Sequence, residues 1–392
     1  MDGTPSCAAC GGERVAPFAD LGAVPALSDR NFADRAEALA SPAGRMVLAY
    51  CARCAYVRNA ALDPRLLVDA AGADTHPLQS PAFRRFSVEL AARLTHRFGL
   101  AGGRVLDIGC GQGDFLRELC LRSDCTAVGY DPRYAGSPGA DPSGAVFHAT
   151  DAPRGGGLPA FDAFVSRHWL EHLADPFAFL LDLRAQIDVR PVYGYLEVAD
   201  ACHDLATAGW EVSYPQVSYF DAYSLCRIVT RAGWRVEATG TCFEGTFRWV
   251  EVSANLPEPR LDPAPLPGLA ERDRQVASVR RFHARRVAER DRWRRAIAEL
   301  AGAGRRPVVW GADLRAVQFL AAADPYRRLS AVIDADTRIW GRYLPGAGHR
   351  VDPPESLTVV QPEVAVITNP VRQQEIRKSL ADRGVDPDLL VI

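Results

Sequence analysis

The sequence predicts an α/β protein in three parts, and three observations lead there. Two C-x2-C pairs open the chain. A glycine-rich turn closes an apolar strand near residue 105. From there onward, short β-rich runs alternate with stretches of helical periodicity. The 392 residues accommodate two or three domains. Hydrophobic residues at 48% and charged residues at 24% are values of a folded globular chain and exclude a fibrous or mainly disordered one. With 46 basic against 48 acidic side chains, there is no basic excess to grip nucleic acid. No apolar run approaches the ~20 residues that span a bilayer. Met1-Asp2-Gly3-Thr4 lacks the basic flank of a signal peptide, so the expectation is a cytoplasmic protein with neither membrane nor nucleic-acid partner.

Composition divides the chain into residues 1–75, a zinc-binding domain; 76–254, a ligand-binding α/β domain; 255–300, a proline-rich linker and bridging helix; and 301–392, a Rossmann-like α/β domain. In the first part, Cys7-Ala-Ala-Cys10 and Cys51-Ala-Arg-Cys54 are the notable feature. Two intervening residues let both thiolates of a tight turn face one cation. Two such turns complete a tetrahedral four-sulfur site suited to Zn²⁺. Gly11-Gly12 supplies the turn after the first pair. With no open position, the metal is expected to be structural. The alternative is four unrelated buried cysteines.

In the second part, Ser80-Pro81 starts a helix that carries Phe83, Phe86, Leu90 and Leu94 on one face. The strand Arg104-Val-Leu-Asp-Ile108 then runs into Gly109-Cys110-Gly111-Gln112-Gly113, and Asp114 opens a helix. Glycines there permit a tight turn and close backbone approach to a ligand. The next strand, Thr126–Tyr130, ends in Asp131, where an acid can accept the ribose hydroxyls of an adenosine ligand. NAD and S-adenosylmethionine sites share this layout. Asp107 stands inside the glycine motif, and the third glycine comes too early for dinucleotide spacing.

That pattern, Val105 to Gly113, resembles the V-L-D-x-G-C-G-x-G fingerprint of class I S-adenosylmethionine-dependent methyltransferases. The resemblance implies a class I methyltransferase Rossmann-like domain, with Asp107, Gly109, Gly111, Gly113 and Asp131 at the cofactor. Phe147–Asp151 is similar to the segment that lines the adenine, and Phe161–Val165 to the fourth strand, so Asp151 and Arg167 join the cofactor set.

The third part begins with Asn255–Gly268, whose five prolines read as a stiff linker. An Arg-rich helix follows from Leu269 to about Leu300, with Val276, Val279, Phe282, Val287 and Ile297 as its apolar positions. Pro307–Trp310, Ala331–Asp334 and Val364–Thr368 read as strands. No internal repeat is visible. The whole arrangement resembles the sugar C-methyltransferases of antibiotic biosynthesis, which methylate C3 of nucleotide-linked 4-keto-deoxysugars. Arg167–Pro176, Glu197-Val198, Ser218-Tyr219-Phe220, Val309–Ala312, Tyr343–Gly346 and Thr368-Asn369-Pro370 carry that likeness. It implies a functional histidine at His172, a nucleotide-sugar substrate, and a monomer or homodimer.

The departures fall on the chemistry. The Glu-His pair of the family's Y-H-E-H-x-S-Y-F motif is Pro215 and Gln216 here, and the tyrosine-serine segment expected near residues 75–82 reads Thr75-His76-Pro77-Leu78-Gln79-Ser80. The family's G-A-x-x-K-G loop becomes Gly311–Ala316 with Arg315 in place of lysine, and Phe243–Arg248 replaces H-G-G-S-L-R. Methylating a carbon next to a ketone needs a base. The candidates are His172, His168, Tyr214 and His76, with Glu244 and Arg248 as substrate contacts. Three readings follow: a C-methyltransferase on a nucleotide-sugar or related keto substrate, a small-molecule O- or N-methyltransferase, and a family member that binds the cofactor without transferring methyl.

Overall fold

Three β-sheets organise the chain. The computed structural model describes residues 6–70, 81–256 and 267–392. The segment with His76 and most of the proline-rich linker, 257–266, lie outside the described residues.

The first sheet is antiparallel: Val15–Pro25, Ala43–Cys51 and Val57–Asn59, extended by Ser218–Tyr219 from far along the chain. Its inner face, with Met46, Leu48 and Val57, packs on Leu205, Val212, Tyr214 and Phe282. The second sheet has eight strands in the order Arg235–Cys242, Phe247–Ala254, Val192–Ala199, Ala163–Arg167, Arg104–Ile108, Thr126–Tyr130, Ala145–His148 and Gly139–Ala140. The strands from 192–199 to 145–148 are parallel. The two-residue periodicity of a strand sends alternate side chains to opposite faces. Val105 thus joins helices Pro81–Phe98 and Asp114–Ser123 on one face. Leu106 and Ile108 join Pro176–Ala185 and Ala222–Arg231 on the other. The helix expected after Ser80 therefore runs from Pro81 to Phe98, with Phe83, Leu90 and Leu94 buried.

The third sheet is all parallel, in the order Val351–Asp352, Ala331–Ile333, Pro307–Trp310, Val364–Ile367 and Asp388–Val391. In the parallel part of the second sheet and in the third sheet, the glycine-terminated strand lies where the strand order reverses. The crevice outside the carboxyl ends at such a point is where ligands bind. The sequence shows no repeat, yet the two sheets share one device. Gly109 N–H donates to Tyr130 O, Gly111 N–H to Asp131 Oδ2 and Arg133 N–H to Asp131 Oδ1. Gly311 N–H likewise donates to Ile333 O, Ala312 N–H to Asp334 Oδ2 and Asp336 N–H to Asp334 Oδ1. Backbone geometry repeats where side chains do not, so sequence comparison misses it.

The bridging helix runs from Leu269 to Gly302 and buries Gln275, Val279, Phe282, Arg286, Trp293 and Ile297. Val276 and Val287 of the expected stripe are only half-buried. The two polar members have partners that the sequence did not disclose. Arg286 lies 3.9 Å from the Trp210 ring centroid and donates to the carbonyls of Ala208 and Gly209. The Cys202 Sγ is 3.5 Å from Gln275 Oε1.

Candidate active site and metal centre

The glycine loop is held to the second strand by Asp131, which is fully buried and takes 2.8 and 2.7 Å hydrogen bonds from Gly111 and Arg133 amides. A carboxylate offers about four acceptor directions, so these two bonds take about half of them. Gly109, Gly111 and Gly113 all adopt left-handed φ, at +78°, +56° and +82°. A Cβ on Gly109 would stand 2.6 Å from Trp169, and one on Gly113 2.5 Å from the Phe147 ring. At Gly111 it would enter open space, which is the concavity a ligand approaching the backbone requires. Asp107 is buried beside them, and desolvation pushes its carboxyl up to about 7 against the opposing pull of Arg167. Asp151 is exposed in the loop beyond the Ala145–His148 strand.

At the end of the fourth strand, Arg167 and His168 converge on Glu197, a residue noted in sequence only as part of a strand end. Arg167 Nε donates to Glu197 Oε1 at 2.9 Å, His168 Nε2 lies 3.0 Å from the same oxygen, and the Tyr195 hydroxyl donates to Oε2 at 2.7 Å. Burial opposes the charge on Glu197, but Arg167, with His168 behind it, holds the carboxyl far below the usual range. The Arg167 guanidinium also lies over the Phe115, Phe83 and Phe86 rings. A charged glutamate in the interior of a strand was the available signal for this hub.

Each candidate base has a definite place. His168 is half-buried with both ring nitrogens turned to carboxylates, Nε2 to Glu197 and Nδ1 3.8 Å from Glu171. Burial lowers its pKa, but Glu171 and Glu197 more than reverse this and raise it. Two carboxylates facing one imidazole favour its protonated form over the free base that the sequence reading assigned to it. Tyr214 is fully buried, and its hydroxyl accepts from Asp63 N–H at 2.7 Å and donates to Asp63 O at 3.4 Å. That corrects the second reading, since its side chain locks the first sheet to the second domain. His172 is half-buried on the Leu170–His172 turn with Nδ1 2.8 Å from Pro215 O. A carbonyl can only accept, so Nδ1 carries a proton. Arg248 is engaged by Asp200 at 2.7 Å, and Glu244 is exposed at a hairpin tip.

A cavity of about 400 Å³ opens between the second domain, the bridging helix and the third sheet. Its walls include His203, Trp210 and Glu211, then Arg285 of the helix, then Arg315 and Thr368. Arg315 Nε donates to Glu211 at 2.9 Å across the domains. The Trp210 indole N–H is buried without a partner among the described residues. The Gly311 φ of +115° is required here, because a Cβ would fall 2.0 Å from Thr368 Oγ1.

Residues 83–239 match the family model described as a methyltransferase domain. Over those residues the chain carries a methyltransferase domain. The enzyme is an S-adenosylmethionine-dependent methyltransferase, and the glycine-loop crevice lies within the matched residues. Among solved structures, a methyltransferase from Mesorhizobium loti is similar at 14% identity, with 43% of this chain and 100% of that one covered and a TM-score of 0.35. Magnesium protoporphyrin IX methyltransferase from Synechocystis PCC 6803 is similar at 17% identity, 44% and 83% coverage and a TM-score of 0.35. A didemethyltoxoflavin N1-methyltransferase from Burkholderia thailandensis is similar at 14%, 43% and 76%, with a TM-score of 0.32. No curated protein matches the chain. Among the described residues, no helix of this methyltransferase is long and apolar enough to cross a membrane.

Away from the crevice, Cys7, Cys10, Cys51 and Cys54 are buried with their sulfurs all within 4.8 Å of one another. Cys7–Cys54 and Cys10–Cys51 are 3.6 and 3.7 Å apart. A tetrahedron of ~2.3 Å Zn–S bonds has edges of about 3.8 Å, so the donor set fits that metal. The two turns superpose in their hydrogen bonding. Gly11 N–H donates to Cys7 O and Cys7 N–H to Gly12 O, while Ala55 N–H donates to Cys51 O and Cys51 N–H to Tyr56 O. Both Gly11 and Ala55 take left-handed φ.

Proposed function

We propose that this methyltransferase acts on a small molecule bound in the interdomain cavity, and that the acceptor is a nucleotide-linked keto-deoxysugar methylated at carbon. The single observation that carries the small-molecule reading is the cavity. Its 400 Å³ lies within the ~300–1,000 Å³ of ligand pockets. The sugar-nucleotide reading adds two supports. The wall is built at the carboxyl edge of the third sheet, at a point of strand reversal like that of the glycine loop. Arg285 and Arg315 there are suited to phosphate oxygens, and the unpartnered Trp210 N–H offers a donor to a carbonyl or phosphoryl acceptor.

Cofactor contacts are proposed for Asp107, Gly109, Gly111, Gly113, Asp131, Asp151 and Arg167, and a structural Zn²⁺ for the four cysteines. The family resemblance points to a functional histidine at His172, whose Nδ1 is held by the Pro215 carbonyl. The test uses the full chain, S-adenosylmethionine and a thymidine-diphosphate 4-keto-6-deoxysugar. Release of S-adenosylhomocysteine with a new C-methyl signal in the product NMR spectrum is the expected result. A new O-methyl signal would transfer the assignment to O-methylation, the acceptor chemistry that the loss of the Glu-His pair at Pro215 and Gln216 favours. Absence of binding to the sugar nucleotide by calorimetry would overturn the sugar reading.

A further inference from the structure

The helix Ala201–Asp204 follows directly from the Val192–Ala199 strand, at the carboxyl edge where the parallel strands of the large sheet end. Its His203 lines the interdomain cavity. The neighbouring Asp204 is buried, with Oδ1 3.5 Å from His203 Nδ1 and Oδ2 accepting from Gln216 Nε2 at 3.2 Å. Gln216 occupies one of the two positions where the expected Glu-His pair is missing. Its amide cannot take up a proton, but it fixes a carboxylate that orients a histidine. A carboxylate on Nδ1 selects the tautomer with its lone pair on Nε2, which is the arrangement of an activated base. His203 Nε2 has no partner among the described residues.

We propose that His203, oriented by Asp204 and Gln216, is the residue that removes the acceptor's proton in the cavity. This rests on the reading of the cavity as the acceptor site. In the step, the acceptor's C–H or O–H bond breaks, its electron pair stays on the acceptor atom, and the proton passes to His203 Nε2. The resulting imidazolium is stabilised by the Asp204 carboxylate. Asp204 is therefore a positioning residue and His203 a catalytic one. Four groups besides Asp204 face the imidazole or line its cavity: Glu211 from the following turn, Arg315 from the third sheet's first helix, and Arg285 and Glu289 from the bridging helix. Asp204 raises the His203 pKa first and burial lowers it, with a net rise. Burial raises Asp204 itself to about 6. His172, by contrast, contributes nothing to the cavity wall.

Two measurements on the full chain test this. First, NMR titration of the histidines should show the His203 pKa fall in Asp204→Asn. An unchanged value would overturn the coupling and the proposal with it. Second, His203→Gln should lower turnover of the keto-sugar nucleotide by at least about 100-fold. It should also abolish the rise of rate with pH through the His203 pKa, and leave calorimetric affinity for S-adenosylhomocysteine unchanged. Turnover within threefold of wild type, or a pH limb lost in His172→Asn and retained in His203→Gln, would overturn it. Failure of the sugar reading has a different signature: the wild type then neither binds nor turns over the sugar nucleotide. In that case the titration of His203 decides whether the dyad exists.

Discussion

Buried carboxylates set the electrostatics at the carboxyl edge of the large sheet, and two of them differ in sign of effect. Asp107 has its pKa raised by burial to about 7. A carboxyl raised in the folded state adds stability below its ordinary pKa of about 4 and loses that stability as pH rises through about 7. Binding a cation beside it reverses the balance and expels its proton. Affinity for S-adenosylmethionine is therefore expected to rise by up to about tenfold per unit between pH 5 and 7 and then level off. Calorimetry on wild type and Asp107→Asn checks this, the variant losing the slope. Glu197 is the opposite case, ionised and paired to Arg167 and His168 in the interior. Glu197→Gln would leave the Arg167 guanidinium without its buried counter-charge, at a cost of about 3–5 kcal/mol. Urea unfolding should show that loss. A change below about 1 kcal/mol would mean the hub contributes little to folding.

Local segments account for much of what was legible. The glycine loop, the helix after Ser80 and the strands at 126–130 and 307–310 were readable, since each is encoded by short-range pattern and turn chemistry. The Ser218–Tyr219 strand, which completes the first sheet, was not, because a two-residue strand paired with a segment far earlier in the chain has no local signature. The roles of Tyr214 and Glu197 were hidden for the same reason, as their partners come from other elements. The cysteine turns lie between these cases. Their spacing was legible, but the left-handed residue of the second turn is Ala55, at φ 59°, where the first has glycine. Alanine in that conformation costs about 1 kcal/mol. Ala55→Gly should therefore stabilise the protein by up to about 1 kcal/mol, and Ala55→Val destabilise it by about 1–3 kcal/mol. Opposite shifts of the denaturation midpoint, at unchanged metal content, are the expected result.

Across the molecule, the four-cysteine cluster does not stand apart from the catalytic domain. Cys7, Cys10, Cys51 and Cys54 belong to the same buried cluster as Phe220, Leu225, Ile228 and Leu106. Tyr56, next to the second cysteine turn, packs on Phe220 at 5.2 Å and shares a 2.6 Å hydrogen bond with Ser218. Ser218 and Phe220 in turn adjoin the segment that carries Pro215 against His172 and Gln216 against Asp204. A metal that holds the two turns together thus supports the backbone behind both histidines. One Zn²⁺ per chain is expected by elemental analysis, and Cys51→Ser should lower both metal content and soluble yield. Removing the metal with a chelator should lower the melting temperature of the methyltransferase domain as well, in a single transition shared with the first sheet. Hydrogen exchange should then show lost protection at residues 213–220 as well as around the cysteines. If metal-free protein melts in two steps, with residues 213–220 still protected in the second, the cluster is an independent module and the coupling through Tyr56 and Ser218 is wrong.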